Sequence, residues 1–130
     1  MRIRRLSEHS VEGSDPKTFT GQATIVRMDG VTQDPDINIY RVQFQPTART
    51  AWHSHSGPQI LLILEGICYL QREGNSTQEL SAGDVARIDP GERHWHGASP
   101  TGPMIHLAVN INLTTAWFEQ VTDQQYAGIA

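Results

Sequence analysis

Two histidines one residue apart, His53 and His55 in Trp52-His53-Ser54-His55, are followed by Gln59 and, much later in the chain, by His94. Side chains alternate faces along a β-strand, so residues two apart point the same way. Two imidazoles one pleat apart can therefore address one metal ion without bending the backbone. The Ser56-Gly57-Pro58 turn gives the chain room to bring Gln59 back toward the same point. His94 has to arrive from a different strand, which requires a closed or sandwiched sheet. Neutral imidazole is the commonest side-chain ligand for first-row transition metals. A lone His-x-His on a surface loop is the competing reading, and the rest of the sequence bears on it.

The chain has 130 residues, a length that suits one domain with a real core. Lys and Arg number 10 against 14 Asp and Glu, a formal charge of −4, so no basic surface calls for nucleic acid. Arg2, Arg4 and Arg5 are followed by polar residues and not by the apolar core of a signal peptide. No apolar run is long enough to span a membrane, and the strongest one, residues 60–64, suits a buried strand. One cysteine, Cys68, leaves no intrachain disulfide and fits a reducing, cytoplasmic setting. Its neighbours Ile67, Tyr69 and Leu70 mark it as an inert core thiol.

Short strands separated by turn chemistry predict an all-β sandwich or barrel. Gln22–Met28, Ile37–Phe44, Gln59–Glu65, Ile67–Arg72, Val85–Ile88 and Met104–Ile111 read as strands. Tyr40, Val42 and Phe44 share one face, as do His106, Ala108 and Asn110. Residues 1–18 read as an arm that orders against a neighbour, 19–113 as the barrel, and 114–130 as a helix and tail. Thr114–Gln120 is the expected helix, with Thr114 or Thr115 as its N-cap.

The spacing His53-x-His55-x-x-x-Gln59, then Gly66, Gly83-Asp84 and Pro90-Gly91-Glu92-Arg93-His94, resembles the paired motifs of the cupin superfamily. That resemblance implies a jelly-roll β-barrel and makes His53, His55, Gln59 and His94 the ligands of one divalent metal. Most metal-binding cupins carry Glu where Gln59 stands. A neutral amide leaves the cation's charge uncancelled, which favours Lewis acidity over oxidation to a trivalent state. Three longer stretches, Arg49–His55, Pro90–Ala98 and Val121–Tyr126, are similar to small bacterial manganese cupins that include (R)-hydroxynitrile lyases. The resemblance implies manganese first, while the donor set also suits iron, zinc, nickel and cobalt. It further implies that His106 is an acid/base near the metal.

His96 follows His94 by two, so it is expected on the same side, as a second acid/base or as a group that orients a ligand. A hydrogen-bonded core histidine is the competing role for His106, and a turn-stabilising amide for Gln59. Tyr40, Val42 and Asn110 are expected to line the substrate pocket. Tyr40 stands where a small residue belongs in the resembling lyases and Asn110 where a longer amide belongs, so both reshape that pocket. Trp52 and Trp95 flank the ligands and should face away from the metal. The implied activity is reversible cleavage of an α-hydroxynitrile to aldehyde and cyanide. An oxygenase or C–C bond-cleaving enzyme on the same scaffold, or a non-catalytic binding module, are the alternatives. Leu61 and Ile63, taken as an apolar outer face, lead us to expect a homodimer or homotetramer.

Overall fold

Turn residues cut the chain into short strands, and the computed structural model describes residues 1–128. In chain order the first strands are β1 (Val11–Gly13), β2 (Phe19–Thr20), β3 (Ala23–Gln33), β4 (Asp36–Phe44), β5 (Arg49–Thr50) and β6 (His53–His55). They are followed by β7 (Gln59–Glu65), β8 (Cys68–Arg72), β9 (Gln78–Leu80) and β10 (Val85–Ile88). The last are β11 (His94–Ala98), β12 (Met104–Ile111) and β13 (Thr115–Trp117), before helix α1 (Asp123–Tyr126).

Two antiparallel sheets face each other in a jelly roll. One has six strands in the order β1-β3-β4-β12-β7-β10. The other runs β13-β6-β11-β5-β2, with β8 also pairing β11 and β9 pairing β8. Alternation decides what lies between them. Val42 and Phe44 of β4, Ile63 of β7, Ala98 of β11 and Met104 of β12 are buried together with Ala23 and Ile25. A second cluster of Leu61, Ile88 and Ala108 sits nearby. Phe44 is fully buried, and truncating a core phenylalanine costs roughly 3–5 kcal/mol. Cys68 belongs to this core, and burial pushes its thiol up to about 12, so it is inert.

The outer side of β11 is covered as well. Trp95 packs with Trp52 and Val121, flanked by Tyr69 and Tyr126. The tail is held there by the Tyr126 hydroxyl, which donates to the Ala98 carbonyl at 2.6 Å. Buried Arg49 adds bonds to the Val121 carbonyl at 2.8 Å and to Asp123 at 2.9 Å. Both tryptophans thus face away from the ligand side, as the alternation around His53 and His94 requires. Gly97 permits the close approach of β5, since a Cβ there would strike the Ala48 carbonyl and the Arg49 backbone.

Three expectations are corrected. Thr114–Gln120 is not a helix: residues 115–117 form β13, paired Thr115 to His55 and Trp117 to His53. The open edge of β6 offers ladder hydrogen bonds that a short, weakly helical segment cannot match alone. The helix lies later, at Asp123–Tyr126, where Thr122 and Gln125 form a reciprocal capping box. Leu61 and Ile63 are not an outer face, being 0% and 1% exposed. Gln59 points into the barrel, and a period of two sends Leu61 and Ile63 inward with it. Lastly, the N-terminal arm is partly built into its own sheet. Val11–Gly13 pairs with Val26–Thr24, and the Arg4 guanidinium donates to the Asp29 and Gly30 carbonyls.

Candidate metal centre

The two-residue period of β6 turns His53 and His55 inward, where they are 2% and 5% exposed. Strand β11 lies antiparallel beside it with His94 directly opposite His53. Three imidazoles therefore meet, with ring centroids 4.2 Å apart for His53 and His94, 5.0 Å for His53 and His55, and 5.2 Å for His55 and His94. Gln59, 4% exposed at the start of β7, joins them from the facing sheet. The Gly57 turn makes this return possible, because a Cβ at that position would collide with the Ile111 and Asn112 carbonyls.

The hydrogen bonds behind these side chains decide which atoms are free. His53 Nδ1 donates to the Ala51 carbonyl at 2.8 Å and His94 Nδ1 to the Glu92 carbonyl at 2.9 Å. Carbonyls only accept, so both rings carry their proton on Nδ1 and keep a bare lone pair on Nε2. His55 Nδ1 lies 2.9 Å from the Thr115 hydroxyl. Gln59 donates through Nε2 to Asn110 Oδ1 at 2.8 Å, which turns Oε1 the other way. Among the described residues, His55 Nε2, His94 Nε2 and Gln59 Oε1 are buried without a hydrogen-bond partner. Converging polar atoms left without a partner in a low-dielectric interior are costly, and a divalent cation satisfies them together once His55 donates Nδ1–H to the Thr115 hydroxyl and frees its Nε2. Burial also pushes His53 well below the ordinary histidine pKa, with His94 next to it adding to the shift. Burial lowers His55 too and takes His94 down to about 4. The rings are neutral, as ligands must be.

His96, two residues past His94, is 4% exposed and faces the same space. The ligand nitrogens of His53, His94 and His96 all lie within 4.8 Å of one another. On β12, His106 is fully buried, and its Nε2 lies 3.0 Å from His96 Nδ1. The outer nitrogens of this pair, His96 Nε2 and His106 Nδ1, have no partner among the described residues. Burial brings His106 down to about 4 and His96 well below its ordinary value, the latter also through His106. A cavity of about 380 Å³ opens on these groups, lined by Tyr40, Val42 and Asn110 along with His53, His55, Gln59, His96 and His106. Tyr40 is a fixed wall of it: the hydroxyl donates to Asp29 at 2.9 Å and the Arg27 guanidinium sits 5.2 Å over the ring. Burial and Asp29 raise the Tyr40 phenol to about 12.

Two contributors escaped the sequence reading, and both sit on β13. Thr115 holds His55. Trp117 lies against His53 with centroids 4.7 Å apart and planes inclined by 33°, and it forms part of the cavity wall. Their two-residue spacing, matching that of His53 and His55, was the available signal. A third, Thr50, accepts the His96 backbone N–H through its hydroxyl at 3.2 Å.

The chain is similar to known proteins. A protein of Granulicella tundricola called (R)-mandelonitrile lyase is 42% identical over 132 residues, covering 97% of this chain and 98% of that one. The crystal structure of a cupin-like protein from Thermotoga maritima superposes with a TM-score of 0.84 at 32% identity, across 90% of this chain and 92% of that one. A polyketide cyclase from Streptomyces resistomycificus shares the fold at 17% identity and a TM-score of 0.71, covering 97% of this chain and 90% of the cyclase. Residues 40–110 match the family described as Cupin domain. By these matches and by its jelly roll, the chain belongs to the cupin family.

Proposed function

We propose that this protein is a manganese-dependent lyase of the hydroxynitrile class, which cleaves an α-hydroxynitrile reversibly to an aldehyde and cyanide. The observation that carries the reading is a neutral His96–His106 pair, 3.0 Å apart, set directly beside the ligand cluster and lining the same cavity as His53, His55 and Gln59. Near end-to-end similarity to a protein called (R)-mandelonitrile lyase supports it.

His53, His55 and His94 through Nε2, with Gln59 through Oε1, would hold a divalent cation that supplies Lewis acidity and lowers the pKa of a substrate hydroxyl. In the cleavage direction the hydroxyl loses its proton, the C–O bond becomes a carbonyl, and the electron pair of the breaking C–C bond leaves with cyanide. Cyanide then takes up a proton. His96 and His106 suit both transfers, because each ring presents one unpartnered nitrogen and the two share the bond between them. A proton taken at one outer nitrogen is matched by one released at the other. Imidazoles kept neutral by burial start as bases. Tyr40, Val42 and Asn110 bound the space for the organic part of the substrate.

The test is metal analysis of purified protein with a mandelonitrile cleavage assay, with and without added Mn²⁺. Near one manganese per chain and manganese-dependent benzaldehyde release are the expected results. Bound metal with no cleavage would sink the lyase reading and turn attention to oxygen-consuming or C–C cleaving chemistry and to a binding role.

A further inference from the structure

Gln59 sets a problem that a glutamate would not. A carboxylate offers an oxygen whichever way it turns, whereas a primary amide offers an oxygen one way and an NH₂ group the other. Only the oxygen can ligate a cation. Before any cation binds, the amide has a reason to turn the wrong way: His94 Nε2 is a buried lone pair with no donor among the described residues, and His55 Nε2 is another wherever the His55 Nδ1–H is donated to Thr115. An NH₂ turned to them would make hydrogen bonds and close the site.

The structure holds the amide the other way through one contact. Asn110 stands directly opposite Gln59 where β12 pairs with β7. Its Oδ1 accepts the Gln59 Nε2–H at 2.8 Å, with both residues buried, at 8% and 4% exposure. That bond commits the amide nitrogen to the β12 side and leaves Gln59 Oε1 bare on the histidine side.

We infer that Asn110 is the positioning residue for Gln59, presetting the amide so that its oxygen faces the three imidazoles. This goes beyond pocket lining, and it rests on the reading of His53, His55, Gln59 and His94 as metal ligands. Removing a group that orients a ligand lowers metal affinity by roughly 10- to 100-fold.

The experiment is a cycle of four proteins, wild type, Asn110→Leu, Gln59→Glu and the double variant, with Mn²⁺ affinity measured by calorimetry. The Asn110→Leu change should weaken binding by about tenfold or more in the wild-type background. In the Gln59→Glu background it should weaken binding by less than about twofold, since the two carboxylate oxygens need no orienting. Equal losses in both backgrounds would overturn the inference by making Asn110 a generic structural residue, and so would no loss beside Gln59. A wild-type protein that takes up no Mn²⁺ would overturn the metal reading, and the orienting role with it. A second measurement uses metal-free protein and guards against misfolding of the leucine variant. In ¹⁵N spectra, the Gln59 side-chain NH₂, identified by its loss in Gln59→Glu, should exchange slowly in the wild type. Fast exchange there would count against a preset amide before any substitution at position 110.

Discussion

His106 Nε2 and His96 Nδ1 share a hydrogen bond of 3.0 Å inside the barrel, although the two residues lie on strands of opposite sheets. Only one proton can occupy that bond, so the two rings are tied into one unit whose outer nitrogens change state together. Replacing His106 by Ala should cut turnover of mandelonitrile roughly 10²- to 10⁴-fold. Manganese content should stay near the wild-type value, because His106 holds none of the ligand atoms. Parallel loss of metal and turnover, read from metal analysis beside the kinetics, would assign His106 to structure.

The buried histidines make the metal-free protein sensitive to mild acid. His94 and His106 fall to about 4 from an ordinary value of 6.5, while His53, His55 and His96 are also lowered, each chiefly by burial. Their folded pKa values lie below the unfolded ones, so the unfolded chain binds protons first. The stability they contribute is complete above pH 6.5 and is lost as pH falls toward 4. Each such histidine contributes a slope of up to about 1.4 kcal/mol per pH unit. Urea unfolding of chelator-treated protein should show a midpoint that drops between pH 7 and pH 5. A flat midpoint would mean that water reaches these rings.

Thr115 is separated from His55 by 60 positions and yet is the partner of its Nδ1. The substitution Thr115→Val keeps the shape and β-propensity of the residue and removes the hydroxyl. Manganese affinity should fall roughly 10- to 100-fold, with little change in the unfolding midpoint of the metal-free protein. An unaltered dissociation constant in a metal-competition titration would show that His55 is held by its strand alone.

The outer surface of the six-stranded sheet carries Ile39, Leu62, Leu107 and Val109, all half-buried, with Leu64 and Val85 exposed close by. Apolar side chains gathered on one outer sheet face favour self-association, and an isologous pair is the simplest way to cover them. Light scattering should return at least twice the chain mass of 14.5 kDa. A value at the chain mass itself would contradict a dimer.

Much of this arrangement is legible in the chain because period two and turn chemistry are strong local signals. β7, β10 and β12 have the bounds their sequences suggest, and β12 splits its faces as read, with His106, Ala108 and Asn110 inward. The meeting of His53 with His94 also follows once both are placed on strands of a closed sheet. Errors arose where a residue's neighbour in space decides its state. Thr115–Trp117 holds two β-favouring residues in a stretch too short to declare a strand alone, and pairing with the edge of β6 makes it one. The phase of Leu61 and Ile63 could have been set by Gln59, two and four residues earlier. The His96–His106 bond and the Gln59–Asn110 bond are invisible to sequence pattern, since each joins elements whose relative placement only the folded barrel defines.

Strand β13 has a consequence for how the protein comes into being. During synthesis His53, His55, Gln59 and His94 all leave the ribosome before Thr115 and Trp117 do. A chain halted at Leu113 would own every proposed ligand and still lack the hydroxyl behind His55 and the indole against His53. Thr115 and Trp117 thereby act as a latch, added late, on a proposed centre whose ligands were laid down well before them.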